Sequence, residues 1–300
     1  MERSQLIQRI KTDVLMLLIA MIWGSAFSFQ QLAGNHISPF LIVGIRFLGA
    51  SLLLGVLVRL RFTLPRRIIW QSAGAGLLLF SASALQQFAL LVSTVGNAGF
   101  ITGMYVVFLP VFLALFWKKR LTWNVWWAVL LVVVGLYLLT NSGVDTFALG
   151  DLLLVGCAIL YALQMITLGK LVKEYDPVQV SIVQFAAAGL AGLIFAFLFE
   201  DNSWSGIGSS FWPMVYMILP ATGIAFTLQG VAQKHAEPTD AAIFLSMESV
   251  FAALFGFLFL GESFSPVQWV GSILMFTAMV LSQITVVKNI PRVSLNNAVE

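Results

Sequence analysis

Charge is scarce in this chain: 10% of its 300 residues are Asp, Glu, Lys or Arg, against about a quarter in soluble domains. With 60% hydrophobic side chains, water cannot be its main solvent. Cysteine is nearly absent. Cys157 stands alone, which excludes an intramolecular disulfide, a thiolate metal cluster and a redox pair, and leaves a small packing residue. The two histidines, His36 and His235, fall in predicted loops on opposite sides of a membrane, where they cannot share a metal or complete a Ser/His dyad. No G-x-S-x-G elbow, H-E-x-x-H pair or phosphate-binding loop occurs. These absences disfavour an intramembrane enzyme and a nucleotide-driven pump, and no metal or cofactor is expected. A net charge of +3 would point to an acidic partner in a soluble protein. Here its placement matters more than its total, and no nucleic-acid partner is expected.

What the chain has instead is apolar length. Stretches of about twenty residues recur from Val14 to Val287, each enough to cross a hydrocarbon core about 30 Å thick. They predict ten spans, at 14–33, 39–59, 68–92, 97–117, 123–141, 149–171, 178–199, 211–233, 240–260 and 266–287. The basic N-terminus and the run after it read as the first span, because a cleavable signal has a hydrophobic region of only about 7–15 residues. With both termini cytoplasmic, 15 of the 16 basic residues lie inside: Arg3, Arg9, Lys11, Arg59, Arg61, Arg66, Arg67, Lys118, Lys119, Arg120, Lys170, Lys173, Lys234, Lys288 and Arg292. The exception is Arg46, within span 2. This satisfies the positive-inside rule without a violation, whereas a count wrong by one would move basic loops to the wrong side. Tryptophan agrees: Trp70, Trp117, Trp123, Trp126, Trp127, Trp204, Trp212 and Trp269 fall near predicted span ends, and only Trp23 sits mid-span.

The chain also repeats itself. Displaced by 138 positions, Asp13–Phe47 lies over Asp151–Phe185, pairing Trp23 with Tyr161 and Ser38-Pro39 with Asp176-Pro177. Both dipeptides place a capping side chain before a proline in the first helical turn. Displaced by 143, Gln86 meets Gln229, Asn97 meets Asp240, Met104 meets Met247 and Trp126 meets Trp269. The expected organisation is a first five-helix repeat over residues 1–145, a second over 146–290 and a cytoplasmic tail over 291–300. Five is odd, so the second repeat enters the membrane inverted, an arrangement typical of carriers that alternate access around a midplane site. Lys118-Lys119-Arg120 is accordingly basic and inside, while its counterpart Gly261-Glu262-Ser263 is outside.

Trp23-Gly24, Ser38-Pro39 with Arg46-Phe47, and Gly261-Glu262 before Pro266 and Trp269 together resemble the drug/metabolite transporter superfamily in its ten-helix EamA-type branch. The resemblance spans about residues 13–287. It implies a multi-pass protein of the bacterial cytoplasmic membrane that exports amino acids, related metabolites or drugs. It also implies a basket of helices around a central cavity, with the fifth and tenth spans peripheral. The first repeat departs from the pattern, with Lys118-Lys119 where the second has Gly-Glu.

Arg46 and Glu248 are the ionisable groups deep in predicted spans. A charge at the bilayer centre costs at least about 2.5–3.5 kcal/mol, so such groups face a cavity or each other. At 1.5 Å per residue both lie about 10–12 Å from the nearer span end, close to the midplane. Arg46 is expected to bind a substrate carboxylate, and Glu248 an amine or a coupling proton; a structural ion pair between them is the alternative. Repeat symmetry adds Tyr105, equivalent to Glu248, together with Trp23 and Tyr161, and Gln86 opposite Gln229. Trp23, Phe27 and Gln30 share a face of span 1, as do Tyr161 and Gln164 of span 6. Aromatic walls with a few polar groups suit amphipathic solutes, although the same residues could be packing and hydrogen-bond glue. Gly99 and Gly103, with Ala242 and Ser246 in the matching places, form small-xxx-small patterns for close helix approach. Pro110 and Pro220 interrupt spans 4 and 8, and Asn97 and Asp240 read as helix caps.

The expected function is secondary transport of a small-molecule substrate, by proton antiport or exchange, with membrane lipid around the protein. A channel or sensor is the competing class, and a homodimer is compatible with the sequence. Substrate identity is not legible.

Overall fold

The computed structural model describes residues 2–59, 63–117, 123–140, 149–201, 204–235, 238–263 and 265–288, and every regular element among them is helical. Arg61, Lys118, Lys119, Arg120, Asp145, Arg292 and the tail 291–300 lie outside the described residues. In chain order the α-helices are α1 (Glu2–Gly34), α2 (Pro39–Leu57), α3 (Arg66–Ala89), α4 (Val95–Thr102), α5 (Tyr105–Trp117) and α6 (Trp123–Thr140). They continue as α7 (Leu149–Glu174), α8 (Pro177–Phe199), α9 (Phe211–Tyr216), α10 (Ala225–His235), α11 (Pro238–Leu245), α12 (Glu248–Leu260) and α13 (Pro266–Lys288). A 3₁₀ turn at Trp204–Ile207 precedes α9, and a π-helical segment at Met217–Ile224 joins α9 to α10.

Among the described residues, seven helical stretches are long and apolar enough to cross a membrane: Val14–Gly34, Pro39–Leu57, Arg66–Ala89, Val95–Phe116, Leu149–Glu174, Pro177–Phe199 and Phe211–Lys234. Glu248–Leu260 is a shorter apolar helix. The protein is thus an all-helical, multi-pass membrane protein. Trp70, Trp123, Trp127, Trp212 and Trp269 are exposed on its surface, as residues facing lipid and its interface would be.

Two expected spans are not continuous. Span 4 breaks between α4 and α5 at Gly103-Met104, and span 9 breaks between α11 and α12 at Ser246-Met247. The positions correspond across the displacement of 143, and so does the hydrogen bonding. Met104 N–H returns to Ile101 O and Met247 N–H to Phe244 O, both one residue short of the α-helical spacing. Val106 N–H to Gly103 O and Ser249 N–H to Ser246 O repeat the tightening. Pro110, the expected interruption of span 4, lies inside continuous α5. Pro220 does mark a departure, since it sits in the π-helical segment. Proline carries no N–H for the regular ladder, and a wider turn accommodates it.

Helix starts also differ from expectation. Asp176 caps α8 by accepting from Gln179 N–H at 2.9 Å, whereas the Ser38 side chain makes no such bond at the start of α2. Asn97 is not the cap of α4: Thr94 is, its side chain accepting from Asn97 N–H at 3.2 Å. Asp240 lies inside α11 rather than ahead of it.

Helices of the N-terminal half pack mainly on the C-terminal half: α2 along α8, α3 on α7 and α8, α1 on α12 and α10, and α6 along α13. Lipid tails are as apolar as leucine, so no hydrophobic force joins these helices, and close backbone approach takes its place. A Cβ added to Gly192 of α8 would lie 2.6 Å from Gly44 N of α2, so the two backbones touch only because both positions are glycine. Gly99 fills the role its small-xxx-small pattern gave it: its carbonyl accepts from Ser249 Oγ at 2.8 Å, and a Cβ there would meet Ala252 Cβ at 2.4 Å.

Candidate functional site

At the centre of the bundle, α1, α2, α3, α4, α5, α7, α10 and α12 enclose a cavity of about 40 Å³. Trp23, Arg46, Gln86, Tyr105, Tyr161, Gln164 and Glu248, seven candidates drawn from six helices, all line it. Gln30 and Gln229 line it as well, while Phe27, on the same face of α1 as Trp23, is buried in the core beside it.

Arg46 is anchored on one side. Its Nε donates to Thr222 Oγ1 at 2.8 Å and its Nη1 to Gln30 Oε1 at 3.1 Å. The guanidinium carbon lies 4.8 Å from the centre of the Phe47 ring and 5.9 Å from that of Phe226. A guanidinium carries five N–H donors, so these two bonds leave three, one on Nη1 and two on Nη2, for another partner. The backbone carbonyl of Gln30 in turn accepts from Gln87 Nε2 at 2.9 Å, which ties α1 to α3 at this level.

Glu248 is the first residue of α12 and Tyr105 the first of α5, so each follows the break in its span. A carboxylate at a helix start is favoured by the positive end of the helix dipole. Glu248 is 4% exposed and its carboxylate sits beside the Tyr105 hydroxyl, while neither Glu248 Oε1 nor Tyr105 Oη bonds to any other group. Arg46 and Glu248 do not pair: among the described residues neither has an ion-pair partner. The ion-pair alternative is therefore absent from this conformation. Gly24 holds the wall behind Glu248, since a Cβ there would lie 2.8 Å from Glu248 O and 2.8 Å from Ala252 N.

The remaining lining residues are tied to one another. Trp23 Nε1 donates to Ala221 O at 3.0 Å, and its ring meets Phe226 at 4.5 Å between centroids. The hydroxyls of Tyr161 and Ser83 are 3.0 Å apart. Gln86 Nε2 donates to Thr102 Oγ1 at 3.3 Å, and Gln164 Nε2 to Gln184 Oε1 at 2.9 Å. The π-helical segment thus serves the site twice, through Ala221 O for Trp23 and Thr222 Oγ1 for Arg46. Four polar partners of the lining residues, Thr222, Thr102, Ser83 and Gln184, were missed from sequence. Displaced by 143, Thr222 and Thr102 correspond to Leu79 and Leu245, so the repeat gives no signal for either. Their places beside a π turn and at the end of a half-helix appear only in the fold.

Chemically, the cavity offers a cation with three free donors, a carboxylate beside a tyrosine hydroxyl, and aromatic rings, with Arg46, Glu248, Tyr105 and Tyr161 all buried. Its present volume has room for about three water molecules. A solute the size of an amino acid enters only if the surrounding helices move apart.

The sequence profile of the EamA-like transporter family matches residues 10–141 and again 148–283. An uncharacterised transporter of Archaeoglobus fulgidus is 30% identical over 283 residues, covering 93% of this chain and 88% of that protein. The threonine/homoserine exporter RhtA of Salmonella typhimurium is 27% identical over 289 residues, covering 91% and 92%. A solved crystal structure, 17% identical, superposes with a TM-score of 0.70 over 93% of this chain and 98% of its own, a likeness of fold alone.

Proposed function

The chain belongs to the EamA-like transporter family, and from that premise we propose that it is a secondary transporter exporting small metabolites, amino acids foremost, across a bacterial cytoplasmic membrane. In this reading ten spans form two inverted repeats, over residues 1–145 and 146–290, with both termini cytoplasmic. The helices rock about the central cavity to expose it to each side in turn.

The observation that carries the reading is the separation of charge in the cavity. Arg46 and Glu248 are both buried and face one space without neutralising each other. Two such charges are costly to hold in a bilayer without a partner. A zwitterion supplies both partners at once: its carboxylate meets the free donors of Arg46, and its ammonium meets Glu248 among the rings of Tyr105, Tyr161 and Trp23. The printed name of the Salmonella relative, a threonine/homoserine exporter, supports the same class. Amphipathic amines of drug-like size use the rings and Glu248 alone. When the site is empty, Glu248 takes a proton in place of the ammonium, which gives proton antiport. The narrowness of the cavity favours a carrier over an open channel.

The test is counterflow in liposomes reconstituted with the purified protein. Saturable uptake of labelled threonine or homoserine against a preloaded amino acid is expected. Leak without saturation, or no flux of any zwitterionic or cationic solute, would count against it.

A further inference from the structure

We propose that Glu200 and Glu262 are the paired latches of a gate at one end of the bundle, and that both must release whenever the central cavity opens to that end. The idea rests on the alternating-access reading above.

Each carboxylate clamps the start of a helix in the other half of the chain. Glu200, at the C-terminal end of α8, accepts from Phe40 N–H through Oε1 at 2.8 Å and from Leu41 N–H through Oε2 at 3.1 Å. Glu262, just beyond α12, accepts from Val95 N–H through Oε1 at 2.7 Å and from Gly96 N–H through Oε2 at 3.0 Å. The first N–H groups of a helix have no partner within it, and a carboxylate satisfies them with the help of the helix dipole. Glu200 therefore replaces the cap that α2 lacks, since Ser38 makes no side-chain cap bond, and Glu262 adds to the Thr94 cap of α4 by taking the two N–H groups ahead of Asn97.

The chain around Glu262 is shaped for this contact. Gly261 takes a left-handed conformation, φ 67°, which turns the backbone back so that Glu262 N–H reaches Gly256 O at 3.2 Å. Gly256 leaves the space into which the carboxylate folds, since a Cβ there would sit 2.6 Å from Glu262 Oε2. The opposite end is held differently. Across the repeat, Glu200 corresponds to Phe62 and Glu262 to Lys119, neither of them acidic. One contact between the halves at that end is neutral, Thr63 N–H donating to Gln179 Oε1 at 2.8 Å.

The latched helices are also those that carry the charged groups of the cavity. Glu200 holds α2, which bears Arg46, and Glu262 extends from α12, which begins at Glu248. A solute drawing Arg46 and Glu248 into new positions moves α2 against α8 and α12 against α4, along the lines the two carboxylates bridge.

The experiment reads access without any substrate. A reporter thiol is placed in the cavity wall as Ala26→Cys, in a background with the buried Cys157 replaced by Ser. A membrane-impermeant thiol reagent is then applied to spheroplasts and, separately, to inverted vesicles. Glu200→Gln and Glu262→Gln are each expected to speed labelling about tenfold from one face only, the outer face in the proposed orientation, because each weakens a two-point charged contact. Gly256→Ala, with Glu262 intact, should act like Glu262→Gln, and combining the two should add nothing. Unchanged labelling, an equal rise from both faces, or additive effects of Gly256→Ala and Glu262→Gln would overturn the latch. If Glu262→Gln does not accumulate, Gly256→Ala carries the same test. Labelling that fails to respond while counterflow persists refutes the latch alone, and a one-sided response without flux of any solute refutes only the transport reading.

Discussion

Replacing Arg46 with lysine keeps the charge and removes the geometry, and so isolates what the anchored guanidinium does. In the parent, Thr222 and Gln30 hold Nε and Nη1, and three N–H donors remain in a planar fork toward the cavity. A lysine ammonium has no fork and no Nε, and it cannot satisfy Thr222, Gln30 and a carboxylate with the same bidentate geometry. A hydrogen bond to a charged group contributes about 1.5–3 kcal/mol. Losing one of the two bonds to a substrate carboxylate should therefore weaken binding by about 10- to 100-fold. The assay is a pair of ligands measured by counterflow inhibition: L-threonine, and its carboxamide, which keeps the ammonium but lacks the anionic group. Arg46→Lys should lose affinity for threonine by that factor while the carboxamide changes less than about threefold. Equal loss for both, accompanied by a lower melting temperature, would show that Arg46 only holds helices together. No loss for either would remove it from the site altogether.

Glu248→Gln should abolish the acceleration of efflux by an imposed proton gradient and, because an amide cannot pair with the substrate ammonium, weaken the solute's affinity in exchange; an unchanged response to pH in both modes would exclude Glu248 from coupling. Trp23→Phe removes the bond to Ala221 O but keeps the ring, and should lower stability by about 0.5–1.5 kcal/mol, measured as the melting temperature of the purified protein, with transport still saturable. Gly192→Leu should prevent accumulation of folded protein, because its side chain would occupy the space of the α2 backbone at Gly44; a monodisperse elution profile equal to the parent's would contradict the packing described. Thr222→Val and Arg46→Lys should be non-additive in threonine affinity, since both act on one contact, and strict additivity would separate them.

Much of this molecule was legible because lipid leaves few options. Apolar length marks crossing segments, and a charge in mid-span must face a cavity or a partner, which is how Arg46 and Glu248 stood out among otherwise apolar neighbours. Aligning the chain with itself then pointed to Tyr105, Tyr161 and Gln86, and all of them line the cavity beside the two charges. The breaks at Gly103-Met104 and Ser246-Met247 were not legible. Hydropathy runs through them unchanged, and the proline in span 4 lies at Pro110, where the helix is continuous. Remote caps were equally hidden: Glu200 serves a helix 160 residues away and Glu262 one 167 residues away, contacts that no local pattern encodes. Asn97 drew attention as a cap because of its residue type, while the bond belongs to Thr94, three positions earlier.

The π-helical turn at Met217–Ile224 has a consequence for length rather than identity. An α-helix advances about 100° per residue, and a π turn holds one residue more than the regular coil. Phe226 and Gln229 point at Arg46 and its neighbours because that extra residue rotates everything after it. Deleting a single amino acid within the turn would let the helix run straight. It would then swing the following side chains by about a quarter of a revolution, emptying that wall of the chamber without altering any residue that lines it. Phasing therefore shapes this wall of the chamber as much as the identity of its residues does, and a helix of different length would present different side chains to the same space.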